Sequence, residues 1–374
     1  MTSPFTINCC KSFGCQNLGL ASSIDYSWPD YRLGYTALYC RACGSYPPLF
    51  NAEHFRDWLT ACFAHFAGSS GLFCPECYQR EPIRYGRNPQ GSQRVQCRRC
   101  KKVWTPRQQP PITRHPPEQI VTVPLVVPFQ GASADQKLYT LLSFDAIRGN
   151  VLYVSSNFTP HPAGTTLLYR WRGSAEPAVI HDDIVERVSQ RETQFLRRSQ
   201  FDEIQYGSAM LKRNASGAIL RPVITAHGHF RVLSHLWPEV KTHMIAHECF
   251  LRGAAITAWA EQFRHRHASL WFVDEEIYED TCTEPWRLLG KTYQGWWQNQ
   301  WQIWEQNNRR KMVCLLTEGP IEKGASITLA ASHYFLAWLQ QQAEFQQSAR
   351  YSAWSVFQAI RSLAEKYNAL IEKR

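Results

Sequence analysis

No stretch of the 374-residue chain approaches the roughly 18 consecutive apolar residues of a membrane span, so helical membrane proteins are not expected. The opening residues, MTSPFTINCCKSFG, lack the basic start and long apolar run of a secretory signal. An intracellular, cytoplasmic location is the expectation, in which thiols stay reduced. Charged residues make up only 19% of the chain against 44% hydrophobic, which excludes a disordered polyelectrolyte and fits a folded protein. Acidic residues are scarce in one segment in particular. Between Cys74 and Arg107 only Glu76 and Glu81 oppose nine basic residues: Arg80, Arg84, Arg87, Arg94, Arg98, Arg99, Lys101, Lys102 and Arg107. Nine less two leaves seven of the formal net charge of +10 in this one stretch. Such an excess calls for a polyanion, and nucleic acid is the commonest. DNA is the expected partner, with RNA left open.

Cysteine is plentiful. Cys74, Cys77, Cys97 and Cys100 form two CxxC pairs nineteen residues apart, the spacing of a structural zinc site. Each CxxC turn aims two sulfurs at one ion, and a hairpin brings the second pair opposite. Four thiolates close the coordination shell, so the metal holds a fold rather than activating water. A second set lies upstream, where Cys10 and Cys15 precede Cys40 and Cys43 in "YCRACGS", with Cys9 an alternative to Cys10. Two structural zinc ions are therefore expected. Cys62, Cys249, Cys282 and Cys314 stand alone in apolar surroundings and read as small buried hydrophobes.

The segment "CPEC…RVQCRRCKKVWTP" resembles the N-terminal zinc ribbon of insertion-element transposases. That ribbon runs CPxC, a basic hairpin, an apolar residue, CxxC and then an aromatic, places filled here by Val95, Cys97, Cys100 and Trp104. The likeness covers about 35 residues. Where family members often continue into a helix-turn-helix, this chain enters a passage with seven prolines between Pro106 and Pro128. Repeated proline excludes helix and favours an extended spacer.

These features divide the chain into a first ribbon with a packing helix (1–72), a transposase-type ribbon (73–105), a proline-rich linker (106–119), an α/β domain (120–318) and a helical C-terminal extension (319–374). The packing helix is read from Phe55, Trp58, Leu59, Cys62, Phe63 and Phe66 at helical spacing. In the α/β domain, "LYTLLSFDAIRGNVLYVSSNF" reads as strand, turn, strand and "TTLLYRWR" as a third strand. "DDIVERVSQRETQFLRRSQF" reads as helix, "AILRPVITAHGHFRVLSHL" as containing a strand, and "ECFLRGAAITAWAEQFRHRH" as a helix feeding the strand "ASLWFV". Three antiparallel strands followed by alternating helices and strands give a mixed α/β fold of the RNase H-like order.

Transposases of that order use three carboxylates on two Mg²⁺ or Mn²⁺ ions, which activate a nucleophile and stabilise the leaving oxygen at a phosphate. The resemblance implies a first Asp on the first strand, for which Asp145 is the candidate. The second acid should close the fourth strand, where "PVITAHGHF" offers Ala226 and His227 instead; Asp182 and Asp183 are substitutes. Glu275 and Glu276 are candidates for the third. Replacing a carboxylate by histidine weakens a site for hard Mg²⁺. A degenerate domain serving as accessory or regulatory factor stands beside an active nuclease or strand-transferase. From other classes, the rivals are a zinc-ribbon protein adaptor and a hydrolase using the histidines with Asp182 or Asp183.

His227, His229, His235, His243 and His247 fall within 21 residues but match no ligand motif such as HExxH, and read as hydrogen-bonded structural groups. Trp297, Trp301 and Trp304 are spaced as one stripe of a helix and read as core. The last 26 residues repeat Trp354, Phe357, Ile360, Ala364, Tyr367 and Ile371, an amphipathic face for the domain or for a second copy of the chain.

Overall fold

The computed structural model describes residues 7–30, 32, 37–47, 49, 74, 76–77, 79, 82–106, 116–130, 137–159, 183–193, 218–219, 222–275, 284–295, 298–307, 309–317, 319 and 323–373. The expected packing helix within residues 51–68 and the strand "TTLLYRWR" lie outside them.

The chain forms two compact units: Met1–Phe5 with Glu53–Pro116, and Thr6–Ala52 with Pro117–Arg374. The first ribbon thus falls in the same compact unit as the α/β domain. The large unit opens with a two-stranded antiparallel sheet, β1 (Tyr26–Asp30) and β2 (Ala37–Cys40). The small unit holds β3 (Ile83–Arg87), β4 (Gln93–Gln96) and β5 (Val103–Trp104), a three-stranded antiparallel sheet. Its tight turn follows from Asn88, whose side-chain oxygen accepts the Ser92 N–H at 2.7 Å, and from Gly91 at φ +83. Val95 pairs directly with Trp104, so the two non-cysteine positions of the transposase pattern pack this little sheet.

The large unit continues with β6 (Gln119–Val127), β7 (Leu138–Asp145), β8 (Val151–Ser156), the short β9 (Phe158–Thr159), a helix α1 (184–193) and the short β10 (Ala218–Ile219). Then follow α2 (Pro222–Leu236), β11 (Thr242–Ala246), α3 (Cys249–Ala258), α4 (Ala260–Arg264) and β12 (Ser269–Glu275). Last come β13 (Arg287–Gln294), β14 (Asn299–Gln306), β15 (Arg309–Leu315), α5 (Ala330–Gln340) and α6 (Ala353–Ile371). One eight-stranded sheet runs β13-β14-β15-β12-β11-β6-β7-β8. Within it β6, β7 and β8 are antiparallel, and β11 and β12 lie parallel to β6. That is the expected RNase H-like order. Strands β15, β14 and β13 extend it antiparallel beyond β12.

Both faces of the sheet are covered at its middle strands, which is why β7 reads as an unbroken buried run and why β12 is buried up to its last residue, while the edge strand β13 is largely exposed. On one face Val121, Val123, Met244, Trp271, Val273 and Val313 join Phe335 of α5 and Val356, Ile360 and Leu363 of α6 in a common core. On the other face, His229 of α2 bonds Ser143 of β7, and His243 of β11 lies tilted against Trp259 and edge-on to Phe263.

Several local expectations change. The first strand, β6, was concealed in the proline-rich passage. Pro124 is tolerated there because its register partner lies in β7, while the ladder to β11 ends at Thr122. The segment "PVITAHGHFRVLSHL" is helix, and the strand expected near it reduces to Ala218–Ile219. Pro222 occupies the first helical position, where its missing N–H costs nothing. Val223, Ala226, Phe230 and Leu233 then recur at helical spacing, all buried. The tryptophan stripe is no helix either: Trp301 and Trp304 stand on opposite faces of β14, and Trp301 is core, its ring parallel to Phe272. Helix α6 forms as expected, capped by Ser352 accepting the Ser355 N–H. Its buried face is spent within its own unit, with Tyr367 against Phe335 and Trp338.

Candidate metal centres and the catalytic positions

In the large unit, Cys10, Cys15, Cys40 and Cys43 bring their sulfurs within 4.8 Å of one another. Cys10 lies 3.6 Å from Cys43 and Cys15 lies 3.8 Å from Cys40. In the small unit Cys74, Cys77, Cys97 and Cys100 do the same, with 3.4 Å between Cys74 and Cys100 and 3.5 Å between Cys77 and Cys97. A tetrahedral zinc with Zn–S bonds of about 2.3 Å sets its sulfurs about 3.8 Å apart, so both sets fit the ion. Among the described residues these are the two groups of three or more His, Cys, Asp or Glu able to share a metal. Cys9 is excluded from the first set: its sulfur faces the Ile7 carbonyl.

Backbone geometry aims the thiols. The Cys40 and Cys97 N–H groups reach the carbonyls five residues on, Ser45 at 3.0 Å and Lys102 at 2.8 Å, and Cys74 repeats the pattern with Gln79 at 2.9 Å. Amides of Asn17, Glu76 and Arg99 point at sulfur, at 3.3 to 3.4 Å. In each set one thiol is biased toward thiolate. Burial opposes ionisation of Cys43, but hydrogen bonds from Ser45 and Ser12 outweigh it and bring the thiol to about 6. Burial likewise opposes Cys97, and the Cys100 and Arg99 amides bring it to about 7. Burial pushes Cys15 up to about 11 and Cys74 to about 12. One negative charge forms readily in each cluster, and a divalent cation is what lets the rest follow.

Around the second centre Arg84, Arg87, Arg98, Arg99, Lys101 and Lys102 are exposed. Arg94 is half-buried over the Tyr85 ring, and Lys102 pairs with Glu76 at 3.3 Å. The expected nucleic-acid residues therefore lie on the small sheet and on the CxxC turn that joins β4 to β5, beside the four thiols.

The expected catalytic residues among those described do not converge. Asp145 ends the second strand of the sheet, not the first, opposite Ile120. It closes the β7–β8 turn: Oδ1 accepts the Ile147 and Arg148 N–H groups at 2.9 and 3.0 Å, and Oδ2 pairs with the Arg148 guanidinium at 3.0 Å. Glu275 ends β12 on the face covered by α5, accepting the Leu329 N–H at 2.7 Å and the Thr328 hydroxyl. Through the register of β6 and β11, Asp145 is level with Leu270. Glu275 is thus five residues further up and three strands across, which sets them more than about 20 Å apart. Asp183 caps α1 through the Val185 N–H at 2.7 Å, and His227 bonds Thr257 at 3.1 Å. Asp182 and Glu276 lie outside the described residues.

Two elements of the large unit carry no acid at all. Strand β6, QIVTVPLVV, has none, and neither has α5, AASHYFLAWLQ. The residue just beyond the fourth strand, β11, is His247. It lies in a buried chain the sequence did not reveal: Nε2 is 3.0 Å from Glu192 of α1, and Nδ1 is 3.5 Å from Asp274 of β12. Arg187 and Arg191 bind Asp274 at 3.0 and 2.6 Å. Burial opposes the Asp274 carboxylate, yet His247 and the two arginines outweigh it and hold it below the ordinary range. Gly295 lies so close to Glu192 that a Cβ there would strike the carboxylate. Asp274 and Glu192 are thus engaged by guanidinium and imidazole. The remaining histidines have separate partners: His229 spans the Ser143 and Ser155 hydroxyls at 2.8 and 2.7 Å, and His235 bonds the Arg231 carbonyl.

No protein-family model and no curated protein matches the chain. A solved structure, the piggyBac transposase synaptic complex with hairpin DNA, resembles it at TM-score 0.27 and 7% identity. The match covers 69% of this chain and 47% of that one, so the chain spans about half that transposase's length. At that score the likeness carries no argument. No helix among the described residues is long and apolar enough to cross a membrane.

Proposed function

We propose that this is a zinc-dependent DNA-binding protein of transposase descent, whose RNase H-like domain is catalytically degenerate and serves an accessory or regulatory role. The observation that carries the reading is the exposed basic set on the second ribbon, with Arg98 and Arg99 inside the CxxC turn itself. Guanidinium groups held by a rigid metal-tied turn suit phosphate oxygens, giving affinity without choice of sequence. The transposase-type pattern around Val95 and Trp104 supports the descent. The lack of acids on β6 and α5, with His247 just beyond β11, supports degeneracy.

The test is binding of the zinc-loaded protein to duplex and single-stranded DNA across a salt series, with Mg²⁺ present. Affinity should fall steeply with salt, and Arg98→Ala/Arg99→Ala should remove about two phosphate contacts from the slope. The DNA should stay uncut. Cleavage lost in Asp145→Ala would overturn the degenerate reading, and absence of binding at low salt would make the ribbons a protein-docking module.

A further inference from the structure

The first ribbon is fastened to helices α3 and α4. Phe13 stands edge-on against Phe263, with ring centroids 6.4 Å apart, and the Arg252 guanidinium lies 5.8 Å from the Phe13 ring. Arg264 donates to the Leu18 carbonyl at 3.3 Å. Gly19, at φ +71, approaches Ala260 so closely that any Cβ would fall 2.0 Å from the Ala260 methyl. A Cβ on Gly253 would meet the Lys11 amine at 3.5 Å.

Every ribbon residue in these contacts, Lys11, Phe13, Leu18 and Gly19, lies between or just after the ligands Cys10 and Cys15. Residues 11–20 contain no helix or strand. Their shape is held by bonds at those cysteines, Gly19 N–H to the Cys10 carbonyl at 2.9 Å, Leu18 N–H to the Cys15 carbonyl at 3.0 Å and the Asn17 amide to Cys15 sulfur at 3.4 Å, and by β1, whose Tyr26 hydroxyl accepts the Cys10 N–H at 3.0 Å and bonds the Asn17 and Leu20 carbonyls. A loop so short cannot hold a docking surface by its own packing, so the ligand positions set its shape.

We infer that metal at the Cys10–Cys15–Cys40–Cys43 centre is a clasp: it holds residues 10–19 in the form that fits α3 and α4, and its occupancy sets how firmly those helices are held on the sheet. The second centre has no such duty. Loss of the first metal releases the loop and loosens residues 249–264. This inference does not depend on DNA binding.

The test compares full-length Cys40→Ser/Cys43→Ser, which spares the docking loop, with Cys97→Ser/Cys100→Ser, by zinc content and hydrogen exchange. Each should lose one zinc of two. Exchange over 249–264 should rise by about tenfold or more in the first variant and stay at the wild-type rate in the second. Gly19→Val keeps all eight ligands, so it should retain two zinc ions yet show the same fast exchange. Equal exchange in both cysteine variants would overturn the clasp, as would wild-type exchange in Gly19→Val.

Discussion

The two cysteine ribbons are built on the same turn and put to different uses. In both, the third ligand's N–H reaches the carbonyl five residues on, and its own carbonyl accepts the N–H four residues on, from Gly44 at 2.8 Å and Lys101 at 3.1 Å. Around that shared turn everything else differs. The first ribbon spaces its opening ligands five apart and uses the longer loop to grip α3 and α4. The second keeps a tight CxxC, packs only Val95 on Trp104, and carries exposed cations where the first presents a docking surface. On the proposed reading, a metal at the first would serve the fold of the large unit, and a metal at the second would hold a small basic reader.

Acid should separate them most strongly. Burial holds His229 and His243 down to about 3, against 6.5 when free. The unfolded chain therefore binds more protons below 6.5. Stability of the large unit, full above that pH, should drain away as pH falls toward 3, by an amount on the order of a few kcal/mol per histidine. Residues 73–106 contain no histidine, so the second ribbon lacks this dependence. Denaturant titrations from pH 7 to 4 should show a falling large-unit midpoint, with a shallower fall in His229→Gln. An unchanged slope in that variant would remove His229 from the account.

A smaller effect concerns the turn itself. Gly44 takes φ +71 freely, but Lys101 holds φ +62, where a side chain costs about 1–2 kcal/mol. Lys101→Gly should tighten zinc at the second centre severalfold in chelator competition, less the greater entropy glycine loses on folding. It should also weaken DNA binding slightly by removing one cation. Tighter zinc with unchanged DNA affinity would show that the strain is not maintained for charge.

Much of this was legible locally. The CxxC turns, the β7–β8 hairpin, the α3–α4–β12 run and α6 each declare themselves within some twenty residues. The failures share a cause, in that pattern was read without knowing the neighbours. Strand β6 hid among prolines because Pro124 sits beyond its ladder with β11, and with β6 hidden Asp145 moved up to first-strand rank. Tryptophans at 297, 301 and 304 imitate a helical stripe, although those at 301 and 304 face opposite sides of β14. The Glu192–His247–Asp274 chain joins three elements spread over 83 residues, and no spacing announces it.

The division of labour between the ribbons is tested most directly by hydrogen exchange of the zinc-loaded full-length protein with and without duplex DNA at low salt. Protection is expected over residues 83–102 and not over 10–45. Protection centred on 10–45, or an unchanged second ribbon in a complex that does form, would contradict the account.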